Sequence, residues 1–303
     1  MRECSRGAGM SHRQWIIMIT ATSFRDIIAS QRHHPTEWLW RRCLAINSQF
    51  CEAVVKAGYL TWEQMVSAAC RYRLGATRQR GVIFWQIDQE ERVRDGKVMY
   101  YGPDCHRLKD KQHHPTWVSA LLRQRDPFPN SPHETSHCFF GTHLLSFPER
   151  QLPLLSRRGK GWSDPPQSSS AQTPSISPYS GGEAAALAVP GLYTVCVVEA
   201  EKTAVILSEV YPQYVWLAAG GLGEVQVEKF RPLRGHKVIL FPDTDPDGIA
   251  FKRWSEAAAI VMNQVFWEDS PPIRVSPVLE LHSSPSQKAA KIDLIEFLAK
   301  AAP

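Results

Sequence analysis

Apolar and polar positions along the 303-residue chain follow two different periods, and the change between them divides the sequence. From Ser48 the first half reads as two helices and then a sheet. In "SQFCEAVVKAG" (48–58), Phe50, Val54 and Ala57 recur at helical spacing, and Gly58 supplies a stop. In "TWEQMVSAACRYRLG" (61–75), Trp62, Met65, Ala69 and Tyr72 share a face, while Thr61 and Gln64 have the spacing of a capping box. "GVIFWQIDQEERVRDGKVMYY" (81–101) is rich in β-branched and aromatic residues and reads as a hairpin. Its turn is expected at Asp95-Gly96, because both central residues of a type I′ turn need positive φ. "PTWVSALLR" (115–123) reads as a short helix.

Two stretches lack such a pattern. Residues 1–46 form an atypical amino-terminal segment without a sustained period, with disorder one reading of it. Residues 146–190, with "RRGKGWSDPPQSSSAQTPSISPYSGG" at their centre, carry too little apolar surface to offset the entropy of ordering them, and read as a flexible linker. Beyond it, strands and helices alternate. "YTVCVV" (193–198), "YVWLAA" (214–219), "KVILF" (237–241) and "IRVSPV" (273–278) read as strands. "EKTAVILSEVY" (201–211), "EVQVEKF" (224–230), "GIAFKRWSEAAAIVMNQVF" (248–266) and "IDLIEFLAK" (292–300) read as helices. Unbroken apolar strands between helices predict an α/β fold, a mostly parallel sheet covered on both faces. The expected organisation is therefore a smaller α+β module at 47–145, the linker, and an α/β domain at 191–303.

Charge sharpens this division. Residues 1–160 hold 24 Lys and Arg against 14 Asp and Glu, and residues 161–303 hold 11 against 16. A basic front half suits a phosphate backbone and an acidic back half suits a metal ion, although two solvated surfaces would also give this balance. Arg71, Arg73, Arg78 and Arg80 cluster in sequence and are the candidate nucleic-acid contacts. Seven scattered cysteines without a CxxC argue against a secreted disulfide framework, so a cytoplasmic location is expected. No apolar run reaches the ~18 residues of a membrane span, so no membrane partner is expected. Cys105, His106, His113, His114, His133, His137, Cys138 and His143 are dense, but their spacing fits no zinc ribbon and zinc is not expected.

The sharpest chemistry is "VILFPDTDPDG" (238–248), where Asp243, Asp245 and Asp247 fall in five positions directly after a strand. Like charges a few ångströms apart disfavour one another's ionisation, so either a cation or solvent separates them. A calcium loop would place Glu where Trp254 stands, and a plain solvated turn would also use Asp, Pro and Gly. Glu199, at the end of the first strand of the domain, tips the balance: parallel strands deliver Glu199, Asp243 and Asp245 to one edge of the sheet. Hard oxygen donors from two loops suit Mg²⁺, with Mn²⁺ as an alternative. Close by, Lys202 and the glycine-rich turn at Gly220 and Gly221 are candidate phosphate contacts, against an exposed helix lysine and a structural crossover turn.

In this order, "VVEAEKTAVI" (197–206), "WLAAGG" (216–221) and "VILFPDTDPDG" (238–248) resemble the toprim domain shared by bacterial primases, topoisomerases and related nucleases, over roughly residues 192–300. The resemblance implies a toprim-like fold with Glu199 as general acid/base, Asp243 and Asp245 as Mg²⁺ ligands, and Asp247 in support. The chain departs from the primase pattern at Ala200, where those proteins have Gly, and at Thr203, where they have Asp. With "RYRLGATRQRGVIFWQIDQEERVRDGKVMYYGPDCHR" (71–107), "PTWVSALL" and "CFFGTHLL" included, the chain is similar to toprim-like, primase-related proteins of bacterial mobile elements that form a family of unknown function. That resemblance implies Mg²⁺-dependent phosphoryl or nucleotidyl transfer, primase-like or nuclease-like, in replication or mobilisation of such an element. The implied partners are DNA or RNA in single-stranded form, and a helicase or other replication proteins. The alternative is a non-catalytic nucleic-acid-binding accessory protein that keeps the fold.

Overall fold

A computed structural model of the chain describes residues 48–123, 137–146, 193–266 and 270–301. Residues 1–46, and all but the first residue of the expected linker at 146–190, lie outside the described residues. Contacts divide the chain into two compact units, residues 1–137 and 138–303.

The first unit opens with helices α1 (Gln49–Lys56) and α2 (Trp62–Arg71). Ser48 caps α1 by accepting from the Cys51 amide, and Gly58 ends it at φ +76°. Thr61 and Gln64 form both halves of the capping box of α2. Phe50, Val54, Met65, Ala69 and Tyr72 are buried as their spacing requires, while Ala57 is exposed. An antiparallel sheet follows in the order β1 (Gly75–Ala76), β2 (Val82–Ile87), β3 (Val93–Met99) and β4 (Thr116–Trp117), with α3 (Val118–Arg123) directly after β4. Apolar residues meet both sides of this sheet. Phe84 packs against Phe50 and Tyr101, while Ile83, Trp85, Ile87, Val98 and Val118 form a second cluster. All six residues of β2 are accordingly buried.

The hairpin turn is not at Asp95-Gly96. β3 runs straight through these residues, pairing Gln86 with Asp95 and Trp85 with Gly96. The turn lies at Asp88–Arg92. The Asp88 amide donates to the Arg92 carbonyl (3.0 Å), the Asp88 carboxylate accepts from the Arg92 amide (2.9 Å), and Glu91 adopts φ +62°. Gly96 serves packing instead: a Cβ there would lie 2.6 Å from the Trp85 ring. "PTWVSALLR" likewise begins as the edge strand β4 before turning helical.

The second unit is a four-stranded parallel sheet in the order β6 (Val215–Ala218), β5 (Thr194–Val198), β7 (Lys237–Phe241) and β8 (Arg274–Val275). Val195–Val198, Val215–Ala218 and Val238–Phe241 are buried, the expected state of strands with both faces covered. α4 (Glu201–Val210) connects β5 to β6, and α5 (Ile249–Gln264) connects β7 to β8. The 224–230 stretch is not an α-helix but falls in two 3₁₀ segments, Leu222–Glu224 and Val227–Leu233, which contain Gly223 and Pro232, neither of which favours an α-helix. Two short helices not expected from the sequence, α6 (Val278–His282) and α7 (Pro285–Ala290), lead into α8 (Leu294–Ala301), which packs on α4. "CFFGTHLL" belongs to this unit: Phe140 pairs antiparallel with Ala218 on the edge strand β6, and Phe139 meets Phe230 edge-on at 5.0 Å.

This strand order positions a site. From β5 the chain steps outward to β6, and from β7 it steps outward the other way, to β8. Right-handed crossovers then put α4 and α5 on opposite faces. Between the carboxyl ends of the neighbouring strands β5 and β7 the connections diverge, which leaves a crevice.

Candidate functional site

Glu199 and Asp243 lie at this crevice. Val198 and Phe241, the last residues of β5 and β7, are register partners, so Glu199 follows one strand directly and Asp243 follows the other by two residues. Backbone hydrogen bonds hold the first loop in place. The Ala219 amide donates to the Val198 carbonyl and the Gly220 amide to the Glu199 carbonyl, both at 2.9 Å. Gly220 does so at φ +93°, which residues with a Cβ seldom adopt. Asp243 is half-buried, and burial, the charge of Glu199 and the charge of Asp293 together push its proton affinity well above the usual carboxylate range. Lys202 pulls the other way, and Glu296 adds to the rise.

Asp293 and Glu296 come from the opposite end of the unit. Asp293 caps α8, its Oδ1 accepting from the Glu296 amide (2.9 Å). Its Oδ2 accepts from Thr203 Oγ1 (3.0 Å) and lies 3.1 Å from Lys202 Nζ, which is 3.8 Å from Glu296 Oε1. Lys202, Thr203 and Asp293 are all buried. Lys202 thus pairs with Asp293 and Glu296 and its charge also acts on Asp243, while Glu199 adds a further carboxylate. The excess negative charge is relieved by a proton held at Asp243 or by an added cation.

The three neighbouring aspartates part company in the structure. Asp245 Oδ1 accepts from the amides of Asp247 and Ile249 (both 3.0 Å), and Oδ2 accepts from Ala250 (2.7 Å). Partial burial opposes its ionisation, but these three donors prevail and hold it below the usual carboxylate range. Asp245 is therefore the cap of α5. Asp247 is exposed. The three aspartates thus have different surroundings, Asp245 on backbone amides and Asp247 in solvent.

The residues at the crevice fit Mg²⁺ in one specific way. Among the described residues, no three His, Cys, Asp or Glu side chains form a ready cage for a metal. Mg²⁺ does not need one, since it keeps several waters and takes one or two carboxylates together with substrate phosphates. Glu199 and Asp243 supply two hard oxygen donors, and the raised proton affinity of Asp243 marks a place where positive charge is favoured.

A profile of the domain-of-unknown-function family DUF6371 matches residues 48–155 and 186–244, together more than half of the chain. The chain belongs to this family. No curated protein and no solved structure matches it. The DUF6371 span contains Glu199, Lys202 and Asp243 and ends before Asp245, Asp247, Asp293 and Glu296.

Within the DUF6371 span, the remaining expected contacts are placed as follows. Lys202 is buried against Asp293 and Glu296 rather than exposed on its helix. Gly220 is committed through its amide to Glu199, and the Gly221 carbonyl accepts from the Glu224 amide (3.0 Å). The four arginines do not form one exposed patch. Arg71 is buried and donates to Ser67, and Arg73 is buried and paired with Glu91 at 2.6 Å. Arg80 is exposed and pairs with Glu52, and Arg78 is exposed. Asp293 and Glu296 went unnoticed in the sequence as site residues. The Asp293–Glu296 spacing in "DLIE" is compatible with a helix cap, but nothing local links it to Lys202.

Among the described residues, no helix is long and apolar enough to cross a membrane. Among the described residues, Cys51, Cys70, Cys105, Cys138 and Cys196 form no disulfide.

Proposed function

We propose that the second unit is a toprim-like domain performing Mg²⁺-dependent phosphoryl or nucleotidyl transfer on nucleic acid, in the replication or mobilisation of a mobile element. One observation carries this reading: Glu199 and Asp243 share the crevice between β5 and β7, and the charge of Glu199 raises the proton affinity of Asp243. Bound there, Mg²⁺ would neutralise phosphate charge and orient the attacking oxygen. Glu199 and Asp243 are the residues that would hold it. Glu199 would also accept the proton of the attacking hydroxyl. Lys202 and Asp293 keep the neighbouring wall of the site fixed, and Gly220 fixes the backbone of Glu199.

The commitment of Asp245 to backbone amides favours a second reading, a nucleic-acid-binding accessory protein that keeps the fold without turnover. Incubation with labelled single-stranded DNA and nucleoside triphosphates, in Mg²⁺ or in EDTA, separates the two. The first reading expects a product that needs Mg²⁺ and falls to the EDTA level in Asp243→Ala, which removes one of the two carboxylates that would hold the ion. Binding without any product, in parent and variant alike, would establish the second.

A further inference from the structure

Carboxylates compensate much of the positive charge of the first unit, although Arg78 is exposed and no carboxylate pairs with it among the described residues. Of its cations, Arg73, Arg80, Arg92 and Arg94 are all engaged by carboxylates. The loop between β3 and β4 differs. Arg107, Lys109 and Lys111 are exposed, and no carboxylate pairs with any of them among the described residues. Of the two acids of that loop, Asp110 is taken by His113 Nδ1 at 2.8 Å and Asp104 accepts from the His106 amide at 3.1 Å.

The loop runs directly into β4, the edge strand of the sheet, which presents a half-buried Trp117. His137 stacks on the Trp117 ring, with centroids 4.5 Å apart and planes inclined by 25°. Beneath it lies Asp95, a carboxylate with 1 % of its side chain exposed. Asp95 Oδ1 accepts from the amides of Gly96 (2.7 Å) and Ser119 (3.0 Å). Asp95 Oδ2 accepts from Ser119 Oγ (2.6 Å) and from His137 Nε2 (3.1 Å). Burial opposes the ionisation of Asp95, but these bonds, that of His137 foremost, keep it below the usual carboxylate range. An ionised carboxylate at Nε2 fixes the proton on that nitrogen and fixes the orientation of the ring. His137 Nδ1 has no protein partner among the described residues and is not sealed from solvent. A buried carboxylate is costly to maintain in a sheet, and here it braces a half-exposed imidazole–indole pair on the strand that the loop of Arg107, Lys109 and Lys111 leads into.

We propose, on the reading of the chain as a nucleic-acid protein, that this edge of the first unit is its single-strand grip. Arg107, Lys109 and Lys111 meet the phosphate backbone. The Trp117–His137 pair, held rigid by Asp95, offers a ring surface to an unpaired base, with His137 Nδ1 available for a hydrogen bond. Unpaired bases expose the faces that stacking needs, and duplex bases do not, so single strands are the matching partner.

The test is fluorescence anisotropy of labelled oligothymidylate against the full-length protein in EDTA, over a series of salt concentrations. Lys109→Glu with Lys111→Glu is expected to weaken binding at least tenfold at low salt. It should also lower the slope of log affinity against log salt by about 1.4, the release expected for two single-strand phosphate contacts. Trp117→Ala, folded by circular dichroism, should weaken single-strand binding about tenfold and leave the salt slope unchanged, since stacking is worth ~1–3 kcal/mol per base. A parent that binds while both variants bind equally well overturns the grip and leaves the nucleic-acid reading standing. A parent that prefers duplex, with Trp117→Ala neutral, also overturns it. A parent that binds neither oligothymidylate nor duplex overturns both.

Discussion

Asp243 is the residue whose protonation reports on the site. Its proton affinity is raised by burial first and then by Glu199 and Asp293, so the folded chain binds this proton more tightly than the unfolded chain does. The resulting stability is fully present below the ordinary carboxylate range and is lost as pH rises towards the folded value. In EDTA, the melting temperature of the parent should therefore fall relative to that of Asp243→Asn as pH is raised from about 5 to 9, because the variant has no proton to lose there. Parallel melting curves for the two would show that Asp243 ionises without penalty. Asp95 is perturbed the other way, and its own contribution is present above the ordinary range and lost on acidification. The two carboxylates lie in different units and titrate in opposite senses, so low pH strengthens one site as it weakens the other.

At the scale of the element, Asp245 changes meaning. Charge repulsion alone suggests that removing this carboxylate relieves strain. Its three amide partners show that it instead satisfies the opening turn of α5, a 16-residue helix whose own N-cap position is Gly248, without a side chain to offer. Asp245→Ala should cost about 1 kcal/mol, the usual loss for a helix cap. That corresponds to a melting shift of roughly 2–4 °C for a unit of this size. A rise in melting temperature in EDTA would restore the repulsion argument. The hairpin turn carries the same lesson. Asp-Gly is a strong turn signal, yet the turn formed at Asp88–Arg92, where two arginines complete the Asp88 carboxylate at 2.8 and 2.6 Å. Gly96 was left to accommodate Trp85.

At the scale of the whole molecule, the second unit includes a segment far from it in sequence. Phe139 and Phe140 are fully buried, and Phe140 closes the free edge of β6 through paired hydrogen bonds with Ala218 of 2.9 and 3.1 Å. A fragment of residues 193–303 should therefore be less stable than one of residues 138–303. The expected difference is roughly 3–6 kcal/mol, from two buried phenylalanines at ~1.5–3 kcal/mol each. The shorter fragment should also associate through its open strand edge. Thermal melting and light scattering of the two fragments would check this, and equal stability would mean that the segment is only loosely attached.

What the sequence determined by itself was the local grammar. The helix faces around Phe50 and Met65, the capping box at Thr61 and the unbroken strands ending at Val198 and Phe241 are written in short-range period and composition. Because parallel strands align their carboxyl ends, the sequence also brought Glu199 and Asp243 to one edge. Tertiary structure decided what depends on residues distant in the chain. It carried Asp293 and Glu296 on α8 to Lys202, sank Arg71 and Arg73 into the first unit, and set His137 on Asp95 across 42 residues. Such meetings leave no periodic trace, because the pairing of a buried charge is fixed by which surfaces pack together and by the cost of leaving that charge unpaired.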